Sequence, residues 1–358
     1  MPDAGLFVFN EATSQSLPLL ILINQRNQNS LPSHHHFSLS TTSYTMNVCS
    51  KSISFNPAND IPSLVGKTIL VTGGNIGLGK QAILEICRHA PACVFLAARS
   101  LDKARAAVDE IQDALPDVTV HSIIKLVQLD LSSIESVRMA AAVVMSEADR
   151  LDVLMLNAGI MATPAGITED GYEVQWGTNY VGHALLAKLL LPLMERTSEI
   201  PGTDARLVLL SSDLHSRAPT EGIRWDTVNS EAEKLGTWER YGQSKLAMIL
   251  WGKRIAKLHP CIKTVSLHPG VVRTNLMNGA TGQSAAMRGL TKLGHRFLTS
   301  VEDGVKNQLW VSFAPDVQSG AYYMPVGIIG KESELAKDEK LETEVWDWTE
   351  KELRKYML

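Results

Sequence analysis

Six short segments of this chain carry consecutive apolar residues, and stretches with a helical pattern separate them. The six segments span residues 68–72, 93–97, 126–129, 153–156, 207–210 and 264–267. A strand with one face in water would alternate apolar and polar residues, and these segments do not alternate. Strands that are buried on both faces and alternate with helices form a parallel sheet that helices cover on both sides. The sequence therefore predicts an α/β fold.

Composition divides the chain into three regions. Residues 1–60 are rich in Ser, Thr, Asn and Gln without periodicity, which predicts a disordered or dispensable N-terminal extension; Met46 is a candidate start of the working protein. Residues 61–330 carry the strand and helix patterns of a single domain. Residues 331–358 place apolar residues at helical spacing, which predicts a C-terminal helix packed on that domain, with a partner-binding helix as the alternative.

Charge and cysteine content exclude several classes of function. The net charge of -4 gives no electrostatic basis for binding nucleic acid or an anionic membrane. The four cysteines lack the spacing of a disulfide framework, which favours a reducing, cytoplasmic location. The apolar residues 17–23 are too short for a transmembrane segment; a fragment of an organelle-targeting signal is the alternative. The histidines at 34–36 are more typical of a disordered tail than of a metal site, so no metal is predicted.

A glycine-rich turn joins the first predicted strand to the first long helical pattern. Residues 72–79 read Thr-Gly-Gly-Asn-Ile-Gly-Leu-Gly. Glycines permit the sharp turn, the close approach of the backbone to a pyrophosphate and tight helix–strand packing, while N–H groups at the helix start bind phosphates. The turn predicts dinucleotide binding by a Rossmann-type doubly wound sheet. The residues expected to bind the cofactor here are Gly73, Asn75, Ile76, Gly77, Leu78 and Gly79.

The residue after the second strand indicates which nicotinamide cofactor binds. An acidic residue there would bond the ribose 2′-hydroxyl, but this chain has Arg99, whose guanidinium suits a 2′-phosphate, so NADP(H) is predicted. The alternative is that Arg99 is an exposed loop cation and Asp102 binds the ribose. Lys80 could add positive charge to the cofactor site, but the simpler interpretation is that it is a solvated residue on the helix surface. Asp130, after the third strand, is a candidate for the adenine amino group or else a helix cap.

Small and polar residues follow the later strands at the same predicted edge of the sheet. The fourth strand is followed by Asn157, Ala158 and Gly159. A chain that passes close to a cofactor needs small residues at such a place. Asn179 begins the next helical pattern, where it is either a satisfied packing residue or one that bends the helix and holds a water. Ser212 follows the fifth strand, where a serine in isolation is a cap or turn residue.

Tyr241 and Lys245 lie four residues apart in a helical pattern and so project from the same face. A fixed ammonium stabilises a nearby phenolate and is expected to lower the pKa of Tyr241 from its usual value of about 10. A tyrosine and a lysine placed in this way can transfer protons near neutral pH. The spacing also arises by chance, so its meaning depends on Ser212, which beside Tyr241 would donate a hydrogen bond to a carbonyl oxygen.

Taken in order, these motifs resemble the short-chain dehydrogenase/reductase pattern over roughly residues 66–330. The matching elements are residues 72–79, 157–159, Asn179, Ser212, Tyr241 with Lys245, and residues 268–274. The branch resembles the retinol-dehydrogenase-like reductases, because Gly182-His183 follows Asn179, His215 follows the serine pair, and the C-terminal helix carries Trp346. The resemblance implies a catalytic group of Ser212, Tyr241, Lys245 and Asn179. It also implies that the nicotinamide is bordered by Pro269, Gly270, Val272 and Thr274.

The resemblance implies an NADP-dependent oxidoreductase that interconverts a carbonyl and an alcohol. Tyr241 would transfer the proton and Ser212 would polarise the substrate oxygen, while Lys245 would bind the cofactor ribose beside Tyr241 and Asn179 would anchor a water of a proton relay. The alternatives are an epimerase or dehydratase with tightly held cofactor, and a non-catalytic NADP-binding protein.

The sequence constrains the substrate and the oligomeric state less than it constrains the reaction. The apolar residues of 275–299 predict a lid over a small hydrophobic substrate, such as a secondary-metabolite, retinoid-like or lipid-derived carbonyl, with an ordinary pair of surface helices as the alternative. The stretch before Tyr241 is long and contains Trp225 and Trp238, which leaves the substrate entrance, and any retinol assignment, open. The helices at 179–194 and 242–257 could form a homodimer face, or be buried within one subunit.

Overall fold

The computed structural model describes residues 51–272 and 299–357, and its central element is one eight-stranded sheet. The strands are β1 (Thr68–Thr72), β2 (Cys93–Ala98), β3 (Ile124–Gln128), β4 (Val153–Leu156), β5 (Arg206–Leu210), β6 (Lys263–Leu267), β7 (Tyr322–Met324) and β8 (Ile328–Ile329). Their order is β3-β2-β1-β4-β5-β6-β7-β8, and only the last pair is antiparallel. The prediction of a Rossmann-type doubly wound parallel sheet is confirmed.

Helices connect successive strands. In the described residues they are α1 (Pro57–Asp60), α2 (Gly77–Cys87), α3 (Leu101–Ala114), α4 (Val120–Ile123), α5 (Ile134–Glu147), α6 (Val174–Trp176), α7 (Gly182–Ser198), α8 (Thr237–Leu258), α9 (Val301–Phe313) and α10 (Glu339–Leu353). A π-helical turn, Gly177–Val181, joins α6 to α7, and 3₁₀ turns span Asp213–Arg217, Glu334–Lys337 and Arg354–Tyr356. Ser100 caps α3 by accepting a hydrogen bond from the Lys103 N–H at 3.4 Å.

The consecutive apolar residues of β1 are explained by burial on both faces of the sheet. Ile69, Leu70 and Val71 are at most 1% exposed. Ile69 and Val71 belong to the core that includes Ile83 of α2, whereas Leu70 belongs to the core that includes Leu186 of α7. Full burial of an aliphatic side chain contributes about 1.5–3 kcal/mol. Neither face of β1 therefore has room for the polar residues that a solvated sheet would carry.

The edges of the sheet differ from the sequence prediction. β3 begins at Ile124, two residues before the predicted start, and its Lys125 is exposed because β3 is an edge strand. β7 and β8 were not predicted. They contain three and two residues, too few to give a recognisable apolar run.

Both ends of the described chain pack on the domain. The Ile53 N–H donates to the Val326 carbonyl at 2.9 Å, and Phe55 is buried, so these contacts begin before the boundary predicted at residue 60. Residues 1–50, which include Met46 and the histidine run, lie outside the described residues. At the other end, α10 buries Leu341 and Val345.

The helices predicted as a dimer face are covered within one subunit. α10 packs on α8, and α5 packs on α7. Val345 of α10 and Leu250 of α8 lie in the same buried cluster. Burial within the subunit therefore accounts for the apolar residues of α7 and α8, and a homodimer stays a prediction.

The topology fixes where a ligand can bind. β1 pairs with β2 on one side and with β4 on the other. The chain therefore continues from β1 toward one edge of the sheet and from β4 toward the opposite edge. Ligands of such sheets bind in the crevice at the carboxyl ends of the strands where this reversal occurs. Thr72, Leu156 and Leu210 end β1, β4 and β5 at this edge.

Candidate active site

The turn after β1 is built for a close approach of backbone to ligand. Gly73 has a φ of +66°, in the left-handed region that favours glycine. A Cβ on Gly79 would lie 2.3 Å from the Gly73 carbonyl oxygen, so α2 packs against the turn more tightly than any side chain allows. Ile76 precedes α2 without a side-chain cap, which leaves the first N–H groups of the helix for phosphate oxygens. The turn therefore fits the pyrophosphate of a dinucleotide.

Thr72 ties the end of β1 to the residues that follow β4. Its hydroxyl oxygen accepts from the N–H groups of Asn157 at 2.9 Å and Ala158 at 3.0 Å, while the Asn157 amide donates to the Thr72 carbonyl at 2.8 Å. The Asn157 Oδ1 is buried and has no partner among the described residues. A buried acceptor normally has a donor, so this atom also fits a site that a polar ligand completes.

Three charged side chains, Arg99, Asp102 and Lys80, bear on the two interpretations of the loop after β2. Arg99 is exposed, and no carboxylate pairs with it within residues 51–272 and 299–357. Asp102, the alternative ribose ligand, is paired with Arg105 at 2.8 Å. Lys80 is paired with Glu110, as a solvated helix residue would be.

Asp130 holds a turn rather than capping the helix itself. Its Oδ1 accepts from the Ser132 N–H at 3.0 Å and from the Ser132 hydroxyl at 2.6 Å. The residue that caps α5 is Ser133, which accepts from the Ser136 N–H. The prediction that Asp130 caps the helix is therefore wrong, because Ser133 is the cap residue. A contact between Asp130 and adenine stays a prediction.

Tyr241 and Lys245 lie side by side on α8 and are both almost fully buried. The Lys245 Nζ lies 5.8 Å from the centre of the Tyr241 ring and donates to the Leu210 carbonyl, at the end of β5, at 2.8 Å. The spacing of four residues thus gives the predicted shared face. The same lysine anchors α8 to the carboxyl edge of the sheet.

The pKa of Tyr241 shifts in the direction opposite to the one predicted. Burial raises the pKa of Tyr241, the nearby Ser212 hydroxyl lowers it, and the charge of Asp213 raises it further. Burial also lowers the pKa of Lys245 to about 8, because a buried ammonium loses its hydration. The expected lowering by Lys245 is therefore not found, since the cost of burying a phenolate is larger.

Asn179 lies within the π-helical turn before α7 and is wholly buried. Its side chain accepts from the Ile160 N–H at 2.8 Å and donates to the Ile160 carbonyl at 3.0 Å and to the Ser244 hydroxyl at 3.0 Å. A Cβ on Gly159 would lie 3.1 Å from the Asn179 Oδ1 and 3.4 Å from the Lys245 Nζ. The structure thus brings Gly159, Asn179 and Lys245 together, as the sequence predicted.

His183 links the cofactor turn to Asn179, a role that the sequence analysis missed. Its Nε2 lies 3.0 Å from the Thr72 hydroxyl and its Nδ1 lies 2.9 Å from the Asn179 carbonyl oxygen. Because the Thr72 oxygen already accepts two N–H groups, its hydrogen is assigned to Nε2, and Nδ1–H donates to Asn179. Burial lowers the pKa of His183 to about 3, so the ring is neutral here.

Replacement of His183 by asparagine should flatten the acid limb of the stability profile. The unfolded chain protonates this histidine below pH 6.5 whereas the folded chain stays neutral to about pH 3, so protons favour unfolding within that window. His183 should thus account for about 1.4 kcal/mol of lost stability per pH unit between these values. Urea unfolding of both proteins between about pH 4.5 and pH 7.5 measures the difference. His121→Asn on the surface is the control, and parallel acid limbs for wild type and His183→Asn would contradict the assignment.

Ser212 caps the 3₁₀ turn after β5, and its hydroxyl lies near the Tyr241 phenol. Its hydroxyl accepts from the Leu214 N–H at 3.2 Å and lies 3.2 Å from the Asp213 Oδ1, to which it donates. The preceding Ser211 instead donates to the Lys245 backbone carbonyl at 2.8 Å. The second serine of the pair is therefore the one beside Tyr241, as predicted.

An apolar cluster surrounds Tyr241. Met161 and Ala162 are buried with it, and Leu214 and Trp238 pack on them. Trp238, which the sequence analysis noted in the stretch before Tyr241, precedes that residue by three positions on α8 and so shares its face of the helix. Trp225 lies elsewhere, stacked on Trp348 of α10 at 5.8 Å between ring centres.

The residues after β6 are only partly described. Gly270 has a φ of +92°. The Val272 side chain packs so closely on Gly304 of α9 that a Cβ added to Gly304 would lie 2.3 Å from it. Pro269 lies two residues after the end of β6, at the carboxyl edge. Thr274 and all but the last residue of the lid predicted at 275–299 lie outside the described residues, and that last residue, Thr299, forms a parallel bridge with Val272.

The described residues contain neither a metal site nor a membrane-spanning helix. In the part of the chain that the structure describes, no group of His, Cys, Asp and Glu side chains is arranged to hold a metal ion. Over the same residues, no helix has the length and apolar character needed to cross a bilayer.

Comparisons with known proteins agree with this geometry. The family model described as short chain dehydrogenase matches residues 67–218. The short-chain dehydrogenase/reductase drtF of Aspergillus calidoustus is 37% identical over 310 residues, which cover 82% of this chain and 96% of that protein. Retinol dehydrogenase 13 of Homo sapiens is 34% identical over 291 residues, which cover 79% of this chain and 83% of that protein.

Solved structures are similar over the same region. An uncharacterized protein from Mycobacterium paratuberculosis is 26% identical with a TM-score of 0.62, over 84% of this chain and 97% of that chain. A 3-ketoacyl-(acyl-carrier-protein) reductase from Brucella melitensis, complexed with NADH, is 20% identical with a TM-score of 0.54, over 74% of this chain and 98% of that chain. The second likeness concerns the fold alone.

Proposed function

Because this chain belongs to the short-chain dehydrogenase/reductase family, whose members are oxidoreductases that use NAD or NADP, we propose that it is an NADP-dependent reductase. Its reaction interconverts a carbonyl and an alcohol on a small hydrophobic substrate. One observation carries the proposal. The Tyr241 phenol is buried beside the Ser212 hydroxyl, with the Lys245 ammonium one helical turn away, at the carboxyl ends of β4 and β5.

Each side chain of this group has a role that its contacts support. Tyr241 donates a proton to the oxygen of the substrate, and Ser212 donates a hydrogen bond to the same oxygen. Lys245 supplies positive charge beside the phenol when the phenolate forms. Asn179 holds the backbone of Ile160 and the hydroxyl of Ser244, which fixes α8 relative to the loop after β4. The bound nicotinamide supplies or accepts the hydride.

The walls of the site favour an apolar substrate. Met161, Leu214 and Trp238 pack around Tyr241 and offer no charge for a polar substrate to pair with. Retinol dehydrogenase 13 is named for an apolar alcohol, which is consistent with this wall. Retinoid-like, lipid-derived and secondary-metabolite carbonyls are the substrate classes we propose.

The proposal also covers the organisation of the chain. Residues 61–330 make up the catalytic domain and residues 331–358 its C-terminal helix. The extension that activity does not need ends before Ile53, because the chain packs on the domain from that residue onward. A reducing, cytoplasmic location is supported by Cys87, Cys93 and Cys261, which are free thiols.

NADP specificity is proposed to depend on Arg99. Arg99→Asp should raise the dissociation constant for NADPH by about 10–100-fold, the equivalent of a lost charged hydrogen bond, without weakening NADH binding. Quenching of protein fluorescence on titration with each cofactor measures both constants. Lys103→Gln, which removes an exposed cation from the same segment, is the matched control and should bind both as the wild type does. Equal loss for NADPH and NADH would contradict this role.

A panel of carbonyl substrates tests the function. We expect NADPH to be consumed with apolar ketones and aldehydes, and NADH to be consumed more slowly at equal concentration. Activity confined to charged, sugar-like carbonyls would refute the substrate class. No consumption of either cofactor with any carbonyl would favour the epimerase, dehydratase or non-catalytic alternatives.

A further inference from the structure

His215 is a buried side chain to which the proposed reaction assigns no role. It lies in the 3₁₀ turn after β5, is 2% exposed, and its ring makes two hydrogen-bond contacts. Nδ1 lies 2.6 Å from the Ser212 carbonyl oxygen, and Nε2 lies 3.0 Å from the backbone nitrogen of Ser333. The ring thus joins the residue beside Tyr241 to a segment that lies 118 positions further along the chain than His215.

The two partners of the His215 ring define its tautomer. The Ser333 N–H can only donate, so Nε2 accepts, and the proton of the neutral ring is on Nδ1, which donates to the Ser212 carbonyl. Burial lowers the pKa of His215, although the charges of Asp213 and Glu332 act in the opposite direction. The ring is therefore neutral near neutral pH and makes both hydrogen bonds at once.

The sheet fixes Ser212 from one side only. The preceding Ser211 N–H donates to the Leu267 carbonyl of β6 at 2.8 Å, and β5 has already ended at that point. The Ser212 carbonyl accepts from the Nδ1 of His215 and from the His215 backbone N–H at 3.2 Å. His215 therefore sets the direction in which the chain leaves Ser212, and with it the direction of the Ser212 hydroxyl.

The segment that donates to the His215 ring is itself fixed to α8. Lys253 of α8 donates to the Ala336 carbonyl at 2.7 Å. The same ammonium lies 3.3 Å from the Glu332 carboxylate, so the chain is held on both sides of Ser333. Because α8 also carries the proposed proton donor, the ring connects the turn after β5 to the helix against which that turn must be placed.

The 3₁₀ turn also packs directly on α8 beside Tyr241. A Cβ on Gly242 would lie 2.5 Å from the Ala218 nitrogen and 2.9 Å from the Leu214 carbonyl oxygen. The backbone of the turn therefore touches the backbone of α8 at the residue next to the proposed proton donor. Any shift of the turn along α8 changes the distance between Ser212 and Tyr241.

We propose that His215 is a positioning residue, whose neutral ring braces Ser212 against the Ser333 backbone so that the Ser212 hydroxyl faces the substrate oxygen. This inference rests on the proposed carbonyl reduction, in which Ser212 donates a hydrogen bond to that oxygen. The role needs no contact between His215 and substrate or cofactor, because His215 acts through Ser212. Its loss should slow the chemical step and leave cofactor binding unchanged.

Kinetic coupling between His215 and Ser212 tests the proposal. His215→Leu removes both hydrogen bonds of the ring and should lower kcat for NADPH-driven ketone reduction by about 10–100-fold, the cost of a reacting group displaced by about 1 Å. The dissociation constant for NADPH, measured by fluorescence titration, should not change. In the Ser212→Ala background the same substitution should lower kcat by less than about twofold, because the group that it positions is gone.

Two substitutions at Ser333 disturb the same bridge from its other end. Ser333 has a φ of -67°, which proline adopts, and its buried hydroxyl has no partner among the described residues. Ser333→Pro replaces the N–H by a ring carbon, displaces the His215 ring and should lower kcat by about tenfold. Ser333→Ala keeps the N–H and is the matched control, with the kcat of the wild type. The proline variant keeps the proposal testable if His215→Leu does not fold.

The outcomes separate positioning of Ser212 from a general loss of structure. Circular dichroism and NADPH titration establish that each variant is folded. Equal losses of kcat for His215→Leu in the wild-type and Ser212→Ala backgrounds would overturn the proposal, since the effect would not pass through Ser212. A folded Ser333→Pro protein with the kcat of Ser333→Ala would overturn it as well. A wild-type protein that reduces no carbonyl would instead overturn the proposed function.

Discussion

Replacement of Tyr241 by phenylalanine is expected to slow carbonyl reduction by about 10²–10⁴-fold, the usual contribution of a positioned proton donor. The ring would still fill its place against Met161 and Trp238, so the loss would come from the hydroxyl alone. Because the phenol is not needed to bind the pyrophosphate, the dissociation constant for NADPH should change little. Steady-state kinetics with an apolar ketone and fluorescence titration with NADPH measure the two quantities.

Tyr356→Phe provides the matched control for this substitution. Tyr356 lies after α10, where its hydroxyl is 3.3 Å from that of Tyr172, and no described residue of the proposed site is among its hydrogen-bond partners. Loss of that hydroxyl should leave kcat unchanged. A Tyr241→Phe protein that retained more than about a tenth of the wild-type rate would contradict the role of Tyr241 as proton donor.

The second large effect is expected from the buried ion pair beside the site. Arg240 and Glu173 are 4% and 0% exposed and lie 3.2 Å apart, and Arg240 also donates to the Thr163 and Pro164 carbonyls. Burial raises the pKa of Glu173, although Arg240 and backbone N–H groups oppose the shift. Arg240→Met would leave Glu173 buried without its cation, and the free energy of unfolding should fall by about 3–5 kcal/mol. Urea denaturation followed by circular dichroism measures it.

A double variant tests whether Arg240 and Glu173 stabilise the fold as a pair. Adding Glu173→Gln to Arg240→Met removes the uncompensated charge and should recover part of the lost stability, whereas additive losses in the double variant would contradict a coupled pair. Arg224→Met, at an exposed ion pair with Asp226, is the control. It should leave the free energy of unfolding unchanged, since exposed pairs contribute little.

Much of the fold could be predicted because the relevant physics is local. Ile69 to Val71 are apolar at successive positions because both faces of β1 are covered, and this pattern is visible in the sequence. The cap at Ser100 and the glycine turn are likewise local signals. At the site, the spacing of Tyr241 and Lys245 was enough to place both on one face of α8.

The remaining features depend on contacts between distant segments. β7 and β8 are too short to give a pattern, and they exist because β6 offers an edge to pair with. The pKa of Tyr241 was predicted in the wrong direction, since spacing reveals the neighbouring charge but not the depth of burial. The link from Thr72 through His183 to Asn179 joins residues 111 positions apart and has no local signature.

The central claim is that this chain catalyses hydride transfer to a carbonyl, and transfer of deuterium tests it most directly. NADPH deuterated at the reactive position of C4 is mixed with the wild-type protein and an apolar ketone, and the product is analysed by mass spectrometry. The account predicts an alcohol with one deuterium on the former carbonyl carbon, and almost none with Tyr241→Phe in the same time. Product without deuterium, or turnover that leaves NADPH unconsumed, would contradict the account and indicate epimerase or dehydratase chemistry instead.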